Sequence, residues 1–195
     1  MVPAPDLRAV LREALDPDPA PEPSLNDRLA AVLAPFVEHP EPSLVFTVRS
    51  IDLSRHAGEI SFPGGLQDPG ETLRETALRE TFEEIGLDPD ATEIVGALPP
   101  VHTFVSGILV VPFVGVLEAA PAFVPSDGEI DEVLTFPVTR LVKEERSVEI
   151  PRDGGRVWRG FAYEVDGHTI WGATGWMLHS LLEIVRKEAS WVIPA

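Results

Sequence analysis

The chain has 195 residues, enough for one sizeable core and too few for two comfortable domains, and 32 acidic against 15 basic residues leave a formal charge of −17. Such a surface repels polyphosphate chains, which argues against nucleic acid as a partner, and an anionic small molecule would need a metal ion or a local basic pocket. With no cysteine the chain has no disulfides, thiolate chemistry or cysteine-based zinc sites. No apolar run approaches the roughly 20 residues of a membrane-spanning helix, and Met1-Val2-Pro3-Ala4-Pro5-Asp6 does not begin like a secretory signal. The expectation is a cytoplasmic protein without a membrane partner.

In chain order, Asp6 is placed to cap a short helix with Leu7, Val10, Leu11 and Leu15 on one face. Residues 16–23 have proline at every second position and predict a stiff extended connector. Asn26 is placed to cap a second helix carrying Leu29, Val32, Leu33 and Phe36. Residues 1–40 are therefore expected to form a helical, proline-rich extension that docks on a main domain of residues 41–195. From Ser43 the pattern changes, and residues 44–48 predict a buried strand. Gly64-Gly65 and Asp68-Pro69-Gly70 mark turns before a helix over residues 72–85, which Gly86 ends and Asp88-Pro89 keeps from resuming. Strands are expected over 93–98, 108–117, 132–136 and 156–164, and a last helix from Thr174 through Val185. Strands and helices mix without regular βαβ alternation, which gives an α/β class with a mixed sheet flanked by helices.

The helix over 72–85 carries the chemistry. At 100° per residue Leu78, Phe82 and Ile85 fall on one apolar stripe, and Glu80, Glu83 and Glu84 fall together on the opposite face. Carboxylates so spaced repel one another by a few tenths of a kcal/mol per pair. They are either a solvated acidic face or ligands for a hard divalent cation, which takes oxygen donors. The neighbourhood favours the cation: Phe62-Pro63-Gly64-Gly65 is a loop whose backbone can approach a metal or phosphate closely.

Taken whole, Gly65-x5-Glu71-x7-Arg79-Glu80-Thr81-x-Glu83-Glu84-x-Gly86-Leu87 resembles the signature of the Nudix hydrolases, which act on a nucleoside diphosphate linked to another group. Every fixed position matches; at Thr81 the family usually has a bulky aliphatic residue. The resemblance implies a Nudix-type α/β/α sandwich for residues 41–195. It implies Mg²⁺ or Mn²⁺ bound by Glu80, Glu83 and Glu84 with a loop carbonyl near Gly64. It also implies a Glu71–Arg79 ion pair that braces loop against helix.

Upstream, Arg49-Ser50 and the run from Gly58 to Gly65 resemble the coenzyme A pyrophosphatase branch of that family, as does Ile170-Trp171-Gly172-Ala173-Thr174. This resemblance implies hydrolysis of coenzyme A, or a derivative, to 3′-phosphoadenosine 5′-phosphate and 4′-phosphopantetheine. Arg49, Arg55 and His56 form a basic island before the acidic helix. Arg49 and Arg55 are expected to contact substrate phosphates, because guanidinium forks match phosphate oxygens, or else to serve as surface ion pairs. The catalytic carboxylates are expected among Glu83, Glu84 and Glu129, the last on an acidic turn resembling a loop that brings a further glutamate to the metals in relatives.

Three alternatives stay open: hydrolysis of another nucleoside diphosphate derivative (ADP-ribose, NADH or a damaged nucleotide), a non-catalytic nucleotide-binding regulator, and a plain interaction protein with an acidic helix, which Mg²⁺-independent behaviour would favour. Trp158, Trp171, Trp176 and Trp191 are expected in the core or an interface, and His102, His168 and His179 are assigned no function. The N-terminal extension and its prolines offer a contact for a homodimer.

Overall fold

Two long strands that are apolar on both faces organise the molecule. β1 (Arg28–His39) and β7 (Ile108–Ala119) run parallel in continuous register from Arg28↔Ile108 to His39↔Ala119. Alternate side chains of β1 bury Ala31, Leu33 and Val37 on one face and Ala30, Ala34 and Phe36 on the other. A central strand covered on both sides is expected to be apolar throughout. The computed structural model describes residues 6–25, 27–54, 56–103, 107–151 and 157–193.

Around this pair the main sheet runs β3-β2-β1-β7-β5, formed by β2 (Ser43–Arg49), β3 (Ile60–Ser61) and β5 (Glu93–Ala97). β4 (Gly64–Leu66) also pairs with β1, β6 (Val101–Thr103) with β7, and β8 (Ile130–Pro137) with β2. Only β1–β7 is parallel among these pairings, so the sheet is mixed. One face is covered by α2 (Leu73–Ile85), through Ala77 and Ile85. The other buries α1 (Leu7–Ala14) and α4 (Gly172–Glu188) in one core with Tyr163, Val165 and Ile170. These three residues belong to a small antiparallel sheet of β9 (Glu145–Pro151), β10 (Val157–Val165) and β11 (His168–Ile170), joined to β8 by α3 (Val138–Glu144). The α/β sandwich with a mixed sheet and a short N-terminal helix is the expected class. No helix among the described residues is long and apolar enough to cross a membrane.

One expectation is corrected. The second helix, over residues 26–36, does not form: residues 28–39 are the central strand β1. A boundary at residue 41 would therefore remove the middle of the sheet from the domain it holds together. Pro35, which would break a helix, falls where β1 passes from its pairing with β4 at Ala30–Val32 to its pairing with β2 at Phe36 and Val37. The donor it lacks has no strand partner there. Trp171, Trp176 and Trp191 lie at the surface, Trp171 being 53% exposed, which leaves an interface as the expected alternative for them. The side chain of Trp158 lies outside the described residues.

The expected helix and connector at the N-terminus are present in part. Asp6 caps α1 by accepting from Arg8 N–H at 3.0 Å. Asp16 then exchanges backbone hydrogen bonds of 3.1 and 2.8 Å with Ala97, so the connector starts along the edge of β5.

Candidate active site

Local sequence rules fix the ends of α2. Thr72 accepts from Glu75 N–H at 3.2 Å while Glu75 accepts from Thr72 N–H at 2.7 Å, a reciprocal capping box, and Gly86 closes the helix in the left-handed conformation. The face that α2 buries is not the expected stripe. Thr76, Ala77, Thr81, Glu84 and Ile85 point inward, while Phe82 is 54% exposed. Thr81 occupies the position where an aliphatic residue was expected, and its hydroxyl donates to Ala77 O at 2.6 Å, which satisfies it inside the helix. Rotation of the buried face takes Glu84 out of solvent: it is 5% exposed.

The glycine loop explains where Glu84 goes. Gly64 has φ 147°, and a Cβ there would collide with Ala31 O of β1. Its N–H donates to Glu84 Oε2 at 3.1 Å. At Gly65 a Cβ would lie 2.5 Å from the Glu80 carboxylate, so any other residue there would push that carboxylate aside.

β2 delivers the opposite charge. Its alternation buries Val45 on the α2 face and continues through Thr47 to Arg49. Arg49 Nη1 lies 3.6 Å from Glu84 Oε1, and Arg49 Nε is buried without a hydrogen-bond partner. Burial is the main cause that pushes the Glu84 carboxyl up to about 7, against the pull of Gly64 N–H and Arg49 and with added push from Glu80 and Glu129. Burial also raises Glu80 above the usual carboxylate range.

Arg79 is the second counter-charge. Its Nη2 meets Glu71 Oε1 at 2.8 Å, and its Nη1 lies 2.9 Å from both Glu80 Oε1 and Glu83 Oε2. It also donates to Leu66 O at 3.3 Å, so one guanidinium touches both β4 and the carboxylates of α2. These hydrogen bonds hold Glu71 below its usual range and raise Arg79 further.

Glu129 lies on the turn before β8, where its carbonyl accepts from Ser50 N–H at 2.8 Å and its carboxylate acts on Glu84 through space. Of the basic island, Arg49 Nη1 lies 3.6 Å from Glu84 Oε1 and His56 Nδ1 lies 2.8 Å from Glu59 Oε2. Arg55 lies outside the described residues. The sequence reasoning missed Ser126 and Asp131. Ser126 N–H donates to Glu84 O at 2.9 Å, and its Oγ is buried with no partner. Asp131 Oδ2 accepts from Ile51 N–H at 3.0 Å. No local signal marks either, since both contacts join segments far apart in the chain.

The donor set suits a hard divalent cation. Glu80, Glu83 and Glu84 supply oxygens alone, beside a loop stripped of side chains. One cationic atom, Arg79 Nη1, already sits between two of these carboxylates. Among the described residues no three acidic or histidine side chains are yet gathered into a ready-made cluster. The reason is visible in the contacts: with only arginines to balance them, Glu80 and Glu83 turn to Arg79 and Glu84 turns to Gly64 and Arg49.

This fold and site define a Nudix-type hydrolase. The NUDIX domain model matches residues 27–158, and the chain belongs to the Nudix family. Its general activity is that of a Nudix pyrophosphohydrolase. Among curated relatives, the uncharacterised Nudix hydrolase NudL of Pectobacterium atrosepticum is 35% identical, covering 88% of this chain and 90% of that protein. The NudL of Escherichia coli O7:K1 is 39% identical, covering 81% and 83% respectively. Among solved structures, the NUDIX domain of Shewanella oneidensis NrtR, complexed with ADP ribose, superposes with a TM-score of 0.54 at 15% identity. That pair covers 84% of this chain and 88% of the NrtR domain. A MutT/nudix family protein from Enterococcus faecalis gives 0.53 at 17% identity, covering 86% of this chain and 62% of that one. At these identities the two structures speak for the fold alone.

Proposed function

We propose that the chain hydrolyses the diphosphate bond of coenzyme A or a derivative, releasing 3′-phosphoadenosine 5′-phosphate and 4′-phosphopantetheine. The observation that carries the reading is Arg49. It belongs to the Arg-Ser pair upstream of the box, it stands beside Glu84, and its buried Nε has no acceptor. A phosphate oxygen would supply one.

Glu80, Glu83, Glu84 and the Gly64 carbonyl are the groups that would hold Mg²⁺ or Mn²⁺. When bound, the cation would neutralise diphosphate oxygens and stabilise charge developing in the transition state. Arg79 and Glu71 keep the loop against the helix, so the carboxylates approach the substrate from a fixed base. Glu84, held beside Gly64 and Arg49, is one candidate for the base that takes a proton from water. Glu129, on a turn beside it, is the other candidate.

A second reading keeps the site and changes the substrate to another nucleoside diphosphate derivative, such as ADP-ribose or NADH. The pairing of His56 with Glu59 favours it, because that histidine is then unavailable to a third phosphate. The purified protein would be incubated with coenzyme A, ADP-ribose, NADH and diadenosine polyphosphates, with Mg²⁺ or Mn²⁺ and with EDTA, and the products separated. Metal-dependent release of 3′-phosphoadenosine 5′-phosphate from coenzyme A alone supports the first reading. Cleavage of another diphosphate with coenzyme A untouched supports the second, and no cleavage rejects both.

A further inference from the structure

β2 and β8 pair in regular antiparallel register from Ser43↔Pro137 to Val48↔Glu132, and there the register slips. The next pair is Arg49↔Ile130, which leaves Asp131 as an extra residue on β8. A bulge of this kind bends its strand, increases the local twist and re-aims nearby side chains. It also explains why two consecutive residues of β8, Asp131 and Glu132, both face solvent. The slip falls opposite Arg49, the residue whose guanidinium reaches Glu84.

The same residue ties down the connection that leaves β2. Asp131 Oδ2 accepts from Ile51 N–H at 3.0 Å, next to the 2.8 Å bond from Ser50 N–H to Glu129 O. At its other end the segment is fastened to the catalytic helix. Val124 N–H donates to Ile85 O and Ser126 N–H to Glu84 O, each at 2.9 Å. Residues 124–131 thus form a strut from the end of α2 to the start of the 50–59 connection, with Arg49 and Glu84 held between its ends.

From this we infer that Asp131 is a positioning residue for phosphate recognition: its bulge and its bond to Ile51 N–H set the direction in which Arg49 meets a diphosphate beside Glu84. The inference rests on the diphosphate-hydrolase reading above. Asp131 itself touches no substrate, and its side chain is exposed. It acts through the backbone on either side of Arg49. The bond needs an acceptor oxygen at the right reach rather than a negative charge, so asparagine should serve and alanine should not. Glutamate keeps the charge but moves the acceptor by one methylene, and should resemble alanine.

The test compares the full-length chain with Asp131→Ala, Asp131→Asn and Asp131→Glu. Three quantities are measured: KM and kcat for the diphosphate that the wild type cleaves, affinity for inorganic pyrophosphate with Mg²⁺ by calorimetry, and amide exchange at Ile51. One lost hydrogen bond corresponds to roughly a fivefold effect. Asp131→Ala and Asp131→Glu should raise KM about fivefold and weaken pyrophosphate binding to match. Their kcat should stay within about twofold of wild type, and Ile51 exchange should quicken. Asp131→Asn should restore all of these. If Asp131→Ala fails to fold, the contrast between asparagine and glutamate decides the matter. Unchanged KM and pyrophosphate affinity would overturn the inference, as would a fall in kcat at constant KM, or asparagine behaving like alanine. If the wild type cleaves no diphosphate, the functional reading fails separately, and pyrophosphate affinity together with Ile51 exchange still decides the role of Asp131.

Discussion

A pair of half-buried clusters of acids and arginines, one around Glu145 and one around α2, are balanced in opposite ways. Around Glu145, at the junction of α3 and β9, one carboxylate meets several donors. The Tyr163 hydroxyl donates at 2.7 Å, His179 Nδ1 lies at 3.2 Å and Arg186 Nη2 at 3.2 Å. Burial alone would push Glu145 up, but these partners outweigh it and hold the carboxyl below its usual range. Around α2 the ratio is reversed. Glu71, Glu80, Glu83 and Glu84 share Arg79 and Arg49, and Glu84 is left near 7. A cluster whose acceptor is fully supplied with donors joins pieces of the fold. A cluster with surplus carboxylate is strained until positive charge arrives from outside, which is how perturbed groups come to mark functional sites.

The difference can be tested by removing one carboxylate at a time. The largest effect is expected at Glu83→Gln, which nearly keeps the shape and removes a charged donor. It should lower kcat at least about a hundredfold, roughly 2.7 kcal/mol, in steady-state assays on the cleaved diphosphate. Activity within a few fold of wild type would remove Glu83 from the essential set.

Glu145→Ala should do the reverse. It strands the fully buried Tyr163 hydroxyl without its acceptor and should lose about 1–3 kcal/mol in urea denaturation, with kcat per folded molecule unchanged. A carboxyl held below its unfolded value stabilises the protein above that value, and the benefit is lost as pH falls through the folded one. The Glu145 contribution should therefore be complete at neutral pH and disappear in acid.

Glu84 has the opposite sign. Its pKa is raised from 4.5 to about 7, so its contribution is fully present below about pH 4.5 and is lost as pH rises to about 7. Glu84→Gln should therefore stabilise the metal-free protein at pH 8, by on the order of 1–2 kcal/mol, although it removes a carboxylate from the site. Thermal melts with EDTA at pH 5 and pH 8 would show it, and an equal shift at both pH values would contradict the assignment. Added Mg²⁺ should raise the wild-type melting temperature more at pH 8 than at pH 6, because the cation competes with the Glu84 proton.

Thr81→Val should have the smallest effect, within about 1 kcal/mol. The Thr81 hydroxyl is satisfied only within its own helix turn, so its loss leaves no distant group unpaired. A large destabilisation would mean that the helix packs differently beneath its carboxylates.

Much of the site was legible because it is encoded over short distances. The capping box at Thr72 and Glu75, the closing Gly86 and the spacing of Glu71, Arg79, Glu80, Glu83 and Glu84 lie within one helix and its flanks. Helical geometry follows from such spacing without reference to the rest of the fold. β1 was illegible for the complementary reason. Leu29, Val32, Leu33 and Phe36 satisfy a helical period only because a strand buried on both faces is apolar at nearly every position. Pro35 was the signal that a helix could not pass through. The direction of Arg49 was equally illegible, since a residue at the end of a strand can face a partner on a distant helix.

By itself the sequence determined the helix with its caps, the glycines that let a backbone approach it, and the carboxylates available to a hard cation. All of these depend on φ/ψ preferences and on contacts within a few residues. Only the tertiary structure decided which carboxylate is buried, which arginine faces it and where the sheet slips register. Glu84 is forced inward by the packing of α2 on β1, and Arg49 is brought to it by the alternation of β2. The bulge at Asp131 exists only where two distant strands meet. Burial and long-range pairing belong to the whole chain, so no local stretch of sequence contains them.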